Sequence, residues 1–386
     1  MVDTVVQPLF VFPELQRYAV KQRGDFETAL RKQAVSGSRV QLSDPRDLEL
    51  QPNGVTRRWS FRFTWPAFVK VSSLLCRGLA ATVADLAGIR LISTNKTTQA
   101  PLFDATEAVT VFNRALYLRF DQIATNNVLL DRHQRVIDGI FSPQHQLLTN
   151  WSSYNLLAER LQHADAQCAF YAGRMQGRRM QVWFRDTQPL FSFPYNGTNW
   201  QAWYGYFMAN AETANGAVGV EPVLYTPAGV CRLPIPGLGV TRVRHAGRKF
   251  QQSLDSMLES AVAWGRDVTG WRERMFALSQ QPLCSADYVF DRSAMTRDTD
   301  WLRSAMKVPA VVARAAISRA VVRRDVKDGG LDLSEMGSVT PHGRTRLDFY
   351  CGLCETARRC APTHRARLEN FAGKILLAET WPPLFS

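Results

Sequence analysis

The chain has 386 residues, 46% of them hydrophobic and 21% charged. That is apolar enough for a sizeable core and excludes a disordered chain. Lysine and arginine number 47 against 34 acids, a net charge of +13 at pH 7 with a pI near 9.7, which points to a polyanionic partner or to acidic protein neighbours. No stretch approaches the ~18 apolar residues of a membrane span; the longest candidate, Leu74 to Ile89, is interrupted by Arg77 and Asp85. The opening MVDTVVQPLFVFPELQ has no basic segment ahead of an apolar one. A cytoplasmic protein, without a membrane partner and with reduced cysteines, is therefore expected.

Residues 1–90 read as an extended lead-in followed by a helix. From Arg57 to Trp65, Trp59, Phe61, Phe63 and Trp65 alternate with Arg58, Ser60, Arg62 and Thr64, the period of a strand. Pro66 then opens a helical stretch to about Ala87, with Gly88 as its stop. Ala115–Phe120 reads as a strand, Asp131–Gly139 as a polar turn, and Leu147–Gln162 as an amphipathic helix carrying Trp151, Tyr154, Leu157 and Leu161 at helical spacing. Between 165 and 250 the runs Cys168–Tyr171, Met180–Arg185 and Trp203–Met208 are short, aromatic and partly alternating. Gly173, Gly177, Asn196-Gly197, Asn215-Gly216 and Gly237 punctuate them, and Gln176-Gly177-Arg178 marks a hairpin. Helical periodicity returns over Phe250–Trp264, and Trp301–Arg324 forms a basic stretch broken at Pro309. Lys327–Pro341 is the best linker, and a last helical unit runs from Thr345 to Trp381, broken at Pro362. The expected class is α+β, a curved antiparallel β-sheet with flanking helices and a helical C-terminal region. Its parts are residues 1–90, a 91–325 core and 326–386.

Arginine interleaved with aromatics is the strongest chemical feature. Arg174, Arg178, Arg179 and Arg185 accompany Trp183 and Phe184. Single-stranded nucleic acid calls for this pairing, because cations neutralise phosphates and flat rings stack on unpaired bases. A hairpin with its rings inward and its arginines solvated gives the same pattern. Arg242, Arg244, Arg248 and Lys249 crowd His245 and Gly247 just ahead of a helix, where backbone amides and side-chain cations both favour phosphate. The Trp301–Arg324 stretch has no acid and supplies Arg303, Lys307, Arg314, Arg319, Arg323 and Arg324. It suits a phosphate backbone, or packs its Ala/Val side on the core. Cys351, Cys354, Cys360 and His364 have zinc-ligand chemistry, at a C-x2-C-x5-C-x3-H spacing outside the common finger patterns. There is no G-x-S-x-G, Walker A or H-E-x-x-H, and Gly237-Leu238-Gly239 lacks a nucleotide-binding context. His163 with Asp165 is a weak acid–base pair. No catalytic residue and no cofactor are assigned.

Asn210-Ala211-Glu212-Thr213-Ala214-Asn215-Gly216-Ala217-Val218, Val230-Cys231-Arg232, Pro236-Gly237-Leu238 and Arg244-His245-Ala246-Gly247-Arg248 follow one another in order. With Arg346–Tyr350 and Ala372–Leu377, they resemble segments of the DUF932 group of phage- and plasmid-borne proteins. There the corresponding runs read N-S-E-x-G-x-G-A/S, Asn-Gly-Leu and R-H-x-G. The resemblance spans residues 90–380; Pro236 stands where that group has Asn, and the cysteine-bearing helix is atypical. A more distant similarity to Rad52-type annealing proteins implies a sheet with helices, basic grooves and self-assembly. The resemblance implies a non-enzymatic single-stranded DNA-binding homo-oligomer in the cytoplasm of a bacterial host, serving strand annealing or recombination for a phage or plasmid. The expected contacts are Arg174, Arg178, Arg179, Arg185, Arg242, Arg244, Arg248 and Lys249, then Lys307, Arg314, Arg319 and Arg323. A virion or self-assembling structural protein is the first alternative, and a nucleic-acid-acting enzyme the second.

Overall fold

The computed structural model describes residues 9–12, 19–93, 96–99, 105–163, 168–213, 217–233, 242–245, 247, 249–266, 270–286, 288–322, 341, 343–378 and 380–385. The first elements are α1 (Arg23–Ser36), β1 (Gly37–Gln41), β2 (Arg62–Phe63), α2 (Trp65–Leu75), α3 (Leu79–Leu86), a β3–β4 ribbon (Ile89–Ser93 and Lys96–Gln99), α4 (Thr106–Arg119), β5 (Asn127–Asp131) and β6 (Val136–Phe141). A four-stranded sheet, ordered β1-β5-β6-β2, is antiparallel except where β2 runs beside β6. Helices α2, α3 and α4 bury their apolar sides against it. Phe63, Phe68 and Phe112 meet with ring centroids 5.0–6.0 Å apart, and Val71, Val83 and Leu116 complete this core.

Several local expectations differ here: α1 lies within the expected extended lead-in, and of the expected Asp131–Gly139 turn only residues 132–135 turn, because Val136–Gly139 belongs to β6. The Arg57–Trp65 alternation yields a strand only at Arg62–Phe63. Thr56 instead closes a turn, exchanging backbone hydrogen bonds with Phe61 and Ser60, and Ser60 takes a φ of +56°. Trp65 starts α2 because Pro66 suits the first helical turn, yet Trp59, Phe61 and Trp65 still pack on the same core. The expected Pro66–Ala87 helix is two helices, divided at Gly78 with φ +85°. Ala115–Phe120 is not a strand but the end of α4, whose Val109, Phe112 and Leu116 recur at helical spacing and are buried.

The chain continues through α5 (Asn150–His163), β7 (Cys168–Gln176), β8 (Arg179–Asp186), β9 (Phe191–Tyr195), β10 (Thr198–Ala211), β11 (Ala217–Thr226), β12 (Gly229–Arg232), β13 (Arg242–Arg244) and α6 (Phe250–Arg266). These strands make a seven-stranded antiparallel sheet with long β10 and β11 as its spine. β9 and β8 lie in tandem along one edge of β10, and β12 and β13 in tandem along the far edge of β11. The expected hairpin at Gly177 joins β7 to β8. One face carries Met180, Val182, Phe184, Tyr206, Met208, Val220 and Leu224, covered by Phe26 and Leu30 of α1, Tyr154 and Leu157 of α5, and Leu254 and Leu258 of α6. Full burial of side chains of this size stabilises by about 1.5–3 kcal/mol each.

Helices α7 (Trp271–Gln280), α8 (Arg292–Met306), α9 (Ala310–Val321), α10 (Arg346–Arg359) and α11 (Pro362–Leu377) follow and share that same core. The chain is thus an α+β protein with a helical C-terminal region. The apolar cores divide it differently from the expected 1–90, 91–325 and 326–386. One core draws on Leu9 to Ile140, a second joins Phe26 and Leu30 to residues from Tyr154 to Phe385, and a small third, Ala172, Trp183, Phe207, Val223 and Tyr225, lies on the other face of the large sheet. Of the expected linker, only Pro341 is among the described residues. Gly373 brings α11 against the edge of the sheet, since a Cβ there would lie 1.8 Å from the Arg232 carbonyl oxygen. Among the described residues no helix is long and apolar enough to cross a membrane.

Candidate nucleic-acid interface

Strand alternation decides which side chains share the second face of the large sheet. Arg179, Trp183 and Arg185 alternate along β8, and cross-strand register sets Arg174 opposite Gln181, Phe207 opposite Trp183, and Gly205 opposite Arg185. Across β11 the same register continues to Arg242, paired with Gly219, and Arg244, paired with Ala217. The two arginine tracts, far apart in sequence, therefore emerge on one face. From β8 through β10 and β11 to β13 is three strand steps, about 14 Å. Arg179, Arg242, Arg244 and Lys249 are exposed, and Arg185 is half-buried.

Rings are interleaved with these cations. The Arg185 guanidinium lies 4.6 Å from the Tyr171 ring centroid and 5.1 Å from that of Trp203. Tyr171 meets Tyr225 edge to face at 5.0 Å. Tyr171 is the extra residue of a β-bulge between Phe170 and Ala172, and it stays 39% exposed, enough of its ring to meet a ligand. Gly205 makes room for this group, because a Cβ there would sit 2.8 Å from the Tyr225 ring and 2.1 Å from the Phe184 carbonyl oxygen. Deeper in the face, Trp183 and Phe207 pack at 5.1 Å and the Arg232 guanidinium lies 3.8 Å above Phe207. Arg232 binds Glu221 and Glu369, both at 3.0 Å; Arg365 binds Glu369 at 2.6 Å and Arg242 binds Glu221 at 3.5 Å. Tyr171, Trp203, Arg232 and Arg365 are not among the contacts expected from the sequence. A bulge and a contact from a helix over a hundred residues downstream leave no local signature.

Other expected contacts lie elsewhere. Arg178 points inward. It bonds Asp138 at 2.7 Å, Asp131 at 3.0 Å and Glu212 at 3.2 Å, with its side chain 3% exposed. It therefore leaves the set of expected phosphate contacts, since its donors are committed to three carboxylates and to the Gln33 carbonyl. Arg174 is on the interface face but buried; its pKa is drawn down by desolvation and then by the Arg365 charge. Lys307, a left-handed residue closing α8, and Arg314 are exposed on the helical layer. Arg319 is buried and donates to the Thr356 hydroxyl, while the Arg344 guanidinium caps the Arg319 and Ala320 carbonyls at the end of α9. The acid-free stretch thus packs Ala313, Ala316, Ile317 and Ala320 inward. Arg248, Arg323 and Arg324 lie outside the described residues, as does Asp165; of His163 only the backbone is described.

Among the described residues no three His, Cys, Asp or Glu gather to hold a metal ion, so Cys351, Cys354, Cys360 and His364 do not form a site. Burial holds the thiols of Cys351 and Cys354 well above their usual pKa, against the thiolate that zinc binds, and Cys354 belongs to the apolar core.

Two of the segments behind the family resemblance, through Asn210, Glu212 and His245, meet at the buried junction beside Arg178, and Pro236-Gly237-Leu238 lies outside the described residues. Glu212 also accepts from the Asn150 backbone amide at 2.6 Å, at the start of α5, and Asn210 donates to Asn150 at 3.0 Å. His145 and His245 stack there, 5.3 Å apart with a 14° interplanar angle. Burial, and then the His145 charge, pull the His245 pKa down to about 4. Burial raises Asp138 and Glu212, with Arg178 opposing. Comparison with protein-family models, curated proteins and solved structures finds no match to this chain.

Proposed function

We propose that the chain is a non-enzymatic single-stranded DNA-binding protein that acts as a homo-oligomer in strand annealing or recombination of a phage or plasmid. The observation that carries this reading is the Arg185 guanidinium held between Tyr171 and Trp203, beside the exposed Arg179, Arg242 and Arg244. Such a surface offers a base flat rings to stack on and offers the backbone several cations, without reading an edge of the base. Strand annealing needs no covalent step. It needs phosphates neutralised and bases held extended and accessible. Lys249, exposed at the start of α6, extends the same basic end.

The test is binding of a labelled strand of about 40 nucleotides against its duplex and against RNA of the same sequence, over a salt series. The reading requires tight single-strand DNA binding with a steep negative salt slope. Large assemblies without nucleic-acid binding at low salt would replace it with a self-assembling structural protein.

A further inference from the structure

Where the start of β10 meets the helical layer, the chain leaves a cavity of about 530 Å³. That volume holds a flat heterocycle with room to spare, within the range of about 300–1,000 Å³ usual for small-molecule sites. Trp200 and Tyr195 line it, their ring centroids 6.4 Å apart at 71°. The Tyr195 hydroxyl shares a 3.0 Å hydrogen bond with the Thr345 hydroxyl, which fixes the ring in place. Arg344 and Asp348 line it as a buried ion pair, Nη1 to Oδ1 at 2.9 Å. The backbone holds both: Arg344 donates to the Arg319 and Ala320 carbonyls, and Asp348 Oδ2 accepts from the Thr345 amide at 2.7 Å. Oδ1 accepts from Arg344, and an ionised carboxylate oxygen can take a second donor. Thr198 and Glu355, both exposed, form the rim. Rings to stack on, with a donor beside an acceptor, thus meet in one preformed space. That is the chemistry by which proteins hold an unpaired base.

We propose that this cavity is a subsite for one nucleobase, stacked on Trp200 or Tyr195 with its edge hydrogen-bonded to Asp348 and Arg344. This deepens the nucleic-acid reading and rests on it only for the source of the base. A base of a bound strand and a free nucleoside present the same ring chemistry. Trp200 lies three residues along β10 from Trp203 of the stacking face, about 10 Å. Strand alternation turns the two rings to opposite sides of the sheet, Trp200 with the main core and Trp203 with the small one. A base entering the cavity therefore leaves the stack over Trp203 and turns inward, as a splayed-out base does.

The experiment follows the indole N–H resonances of the ¹⁵N-labelled full chain, with the Trp200 signal identified by its loss in Trp200→Phe. One titration uses the deoxynucleosides, which carry no phosphate and so do not report on the exposed arginines. The other uses a single strand of about ten nucleotides containing all four bases, within the span of a single binding module. The expected result is a shift of the Trp200 signal with at least one deoxynucleoside and with the strand. Thr198→Phe at the rim and Cys351→Phe on the α10 wall each fill the space and should weaken that response about tenfold, the worth of one stacked base. Thermal unfolding shows which variants keep the fold. A Trp200 signal unmoved by either probe, or a response undiminished in a folded variant, overturns the subsite, even if the strand binds through the exposed arginines. A shift with deoxynucleosides from a chain that binds no strand keeps the subsite and discards the nucleic-acid reading. A shift with the strand alone, lost in the variants, keeps both and makes the strand the source of the base.

Discussion

Arg178 and Arg179 are neighbours where the β7–β8 turn meets β8, yet they belong to two different regions. Arg178 enters a junction where α1, β5, β6 and the residues after β10 meet, and it is enclosed by three carboxylates. Arg179 lies on an open sheet face and is exposed. In the junction, guanidinium geometry holds two cores together; on the face, the same chemistry is left facing outward. Residue type and local sequence are identical for the two. What separates them is position: Arg178 is the last residue of the turn and Arg179 the first of β8, and the chain reverses between them. The lesson is that a basic tract has no single role, and that each arginine has to be assigned by the place the fold gives it.

That contrast is broken most severely at Arg178. Replacing it with Met leaves buried carboxylates without their cation and should destabilise the chain by about 3–5 kcal/mol in chemical denaturation. A loss under about 1 kcal/mol, the range of a surface pair, would mean that the junction is not a clamp.

Acid should attack the same region. His245 has a folded pKa near 4, below its ordinary value of 6.5, so its contribution is fully present above pH 6.5 and is lost as pH falls toward 4. The expected loss over that window is about 2–3 kcal/mol. Asp138 and Glu212 work in the opposite sense, because their raised pKa values favour the folded state at low pH and less so as pH rises through them. His245→Gln should therefore flatten the acid side of the stability profile or reverse its slope. An unchanged profile would remove His245 as its source.

A smaller effect should come from the face. Gly205→Ala forces a Cβ against the Phe184 carbonyl oxygen and the Tyr225 ring, which should destabilise by about 2 kcal/mol. It should also disturb single-strand binding by moving Tyr225 under Tyr171. The smallest stability change belongs to Arg179→Ala combined with Arg244→Ala, within about 0.5 kcal/mol of the parent. The salt slope of single-strand binding should nevertheless become shallower by about 1.4 if each residue contacts one phosphate. A stability loss as large as that of Arg178→Met would erase the distinction between the two regions.

Much of the large sheet was readable in the sequence, because Met180–Arg185 and Trp203–Met208 alternate and Gly177 permits the turn between β7 and β8. The amphipathic helices α5 and α6 were equally plain from Tyr154, Leu157 and Leu161 and from Leu254, Met257 and Leu258. The N-terminal part was less legible. A short apolar run such as Ala115–Phe120 fits a strand or a helix, and only the buried Val109, Phe112 and Leu116 before and within it settle the choice. Arg179, Arg185, Arg242 and Arg244 stand out in the sequence as members of two local basic tracts, and the strand register puts those tracts on one face. The burial of Arg178 and Arg319 depends on acceptors tens of residues away, which a local reading does not reach.

The bulge at Tyr171 also sets a reading frame for β7. Phe170 and Arg174 are both even-numbered, and a regular strand would place them on one side. Yet Phe170 pairs with Phe184 and packs in the core, while Arg174 pairs with Gln181 on the cationic face. One additional residue is what reverses the phase between them. Removing a single residue between Phe170 and Arg174 would turn an arginine into the apolar core or a phenylalanine out to solvent. The strand should accept many substitutions at Tyr171 and no deletion, so in this part of the chain length is held more tightly than identity.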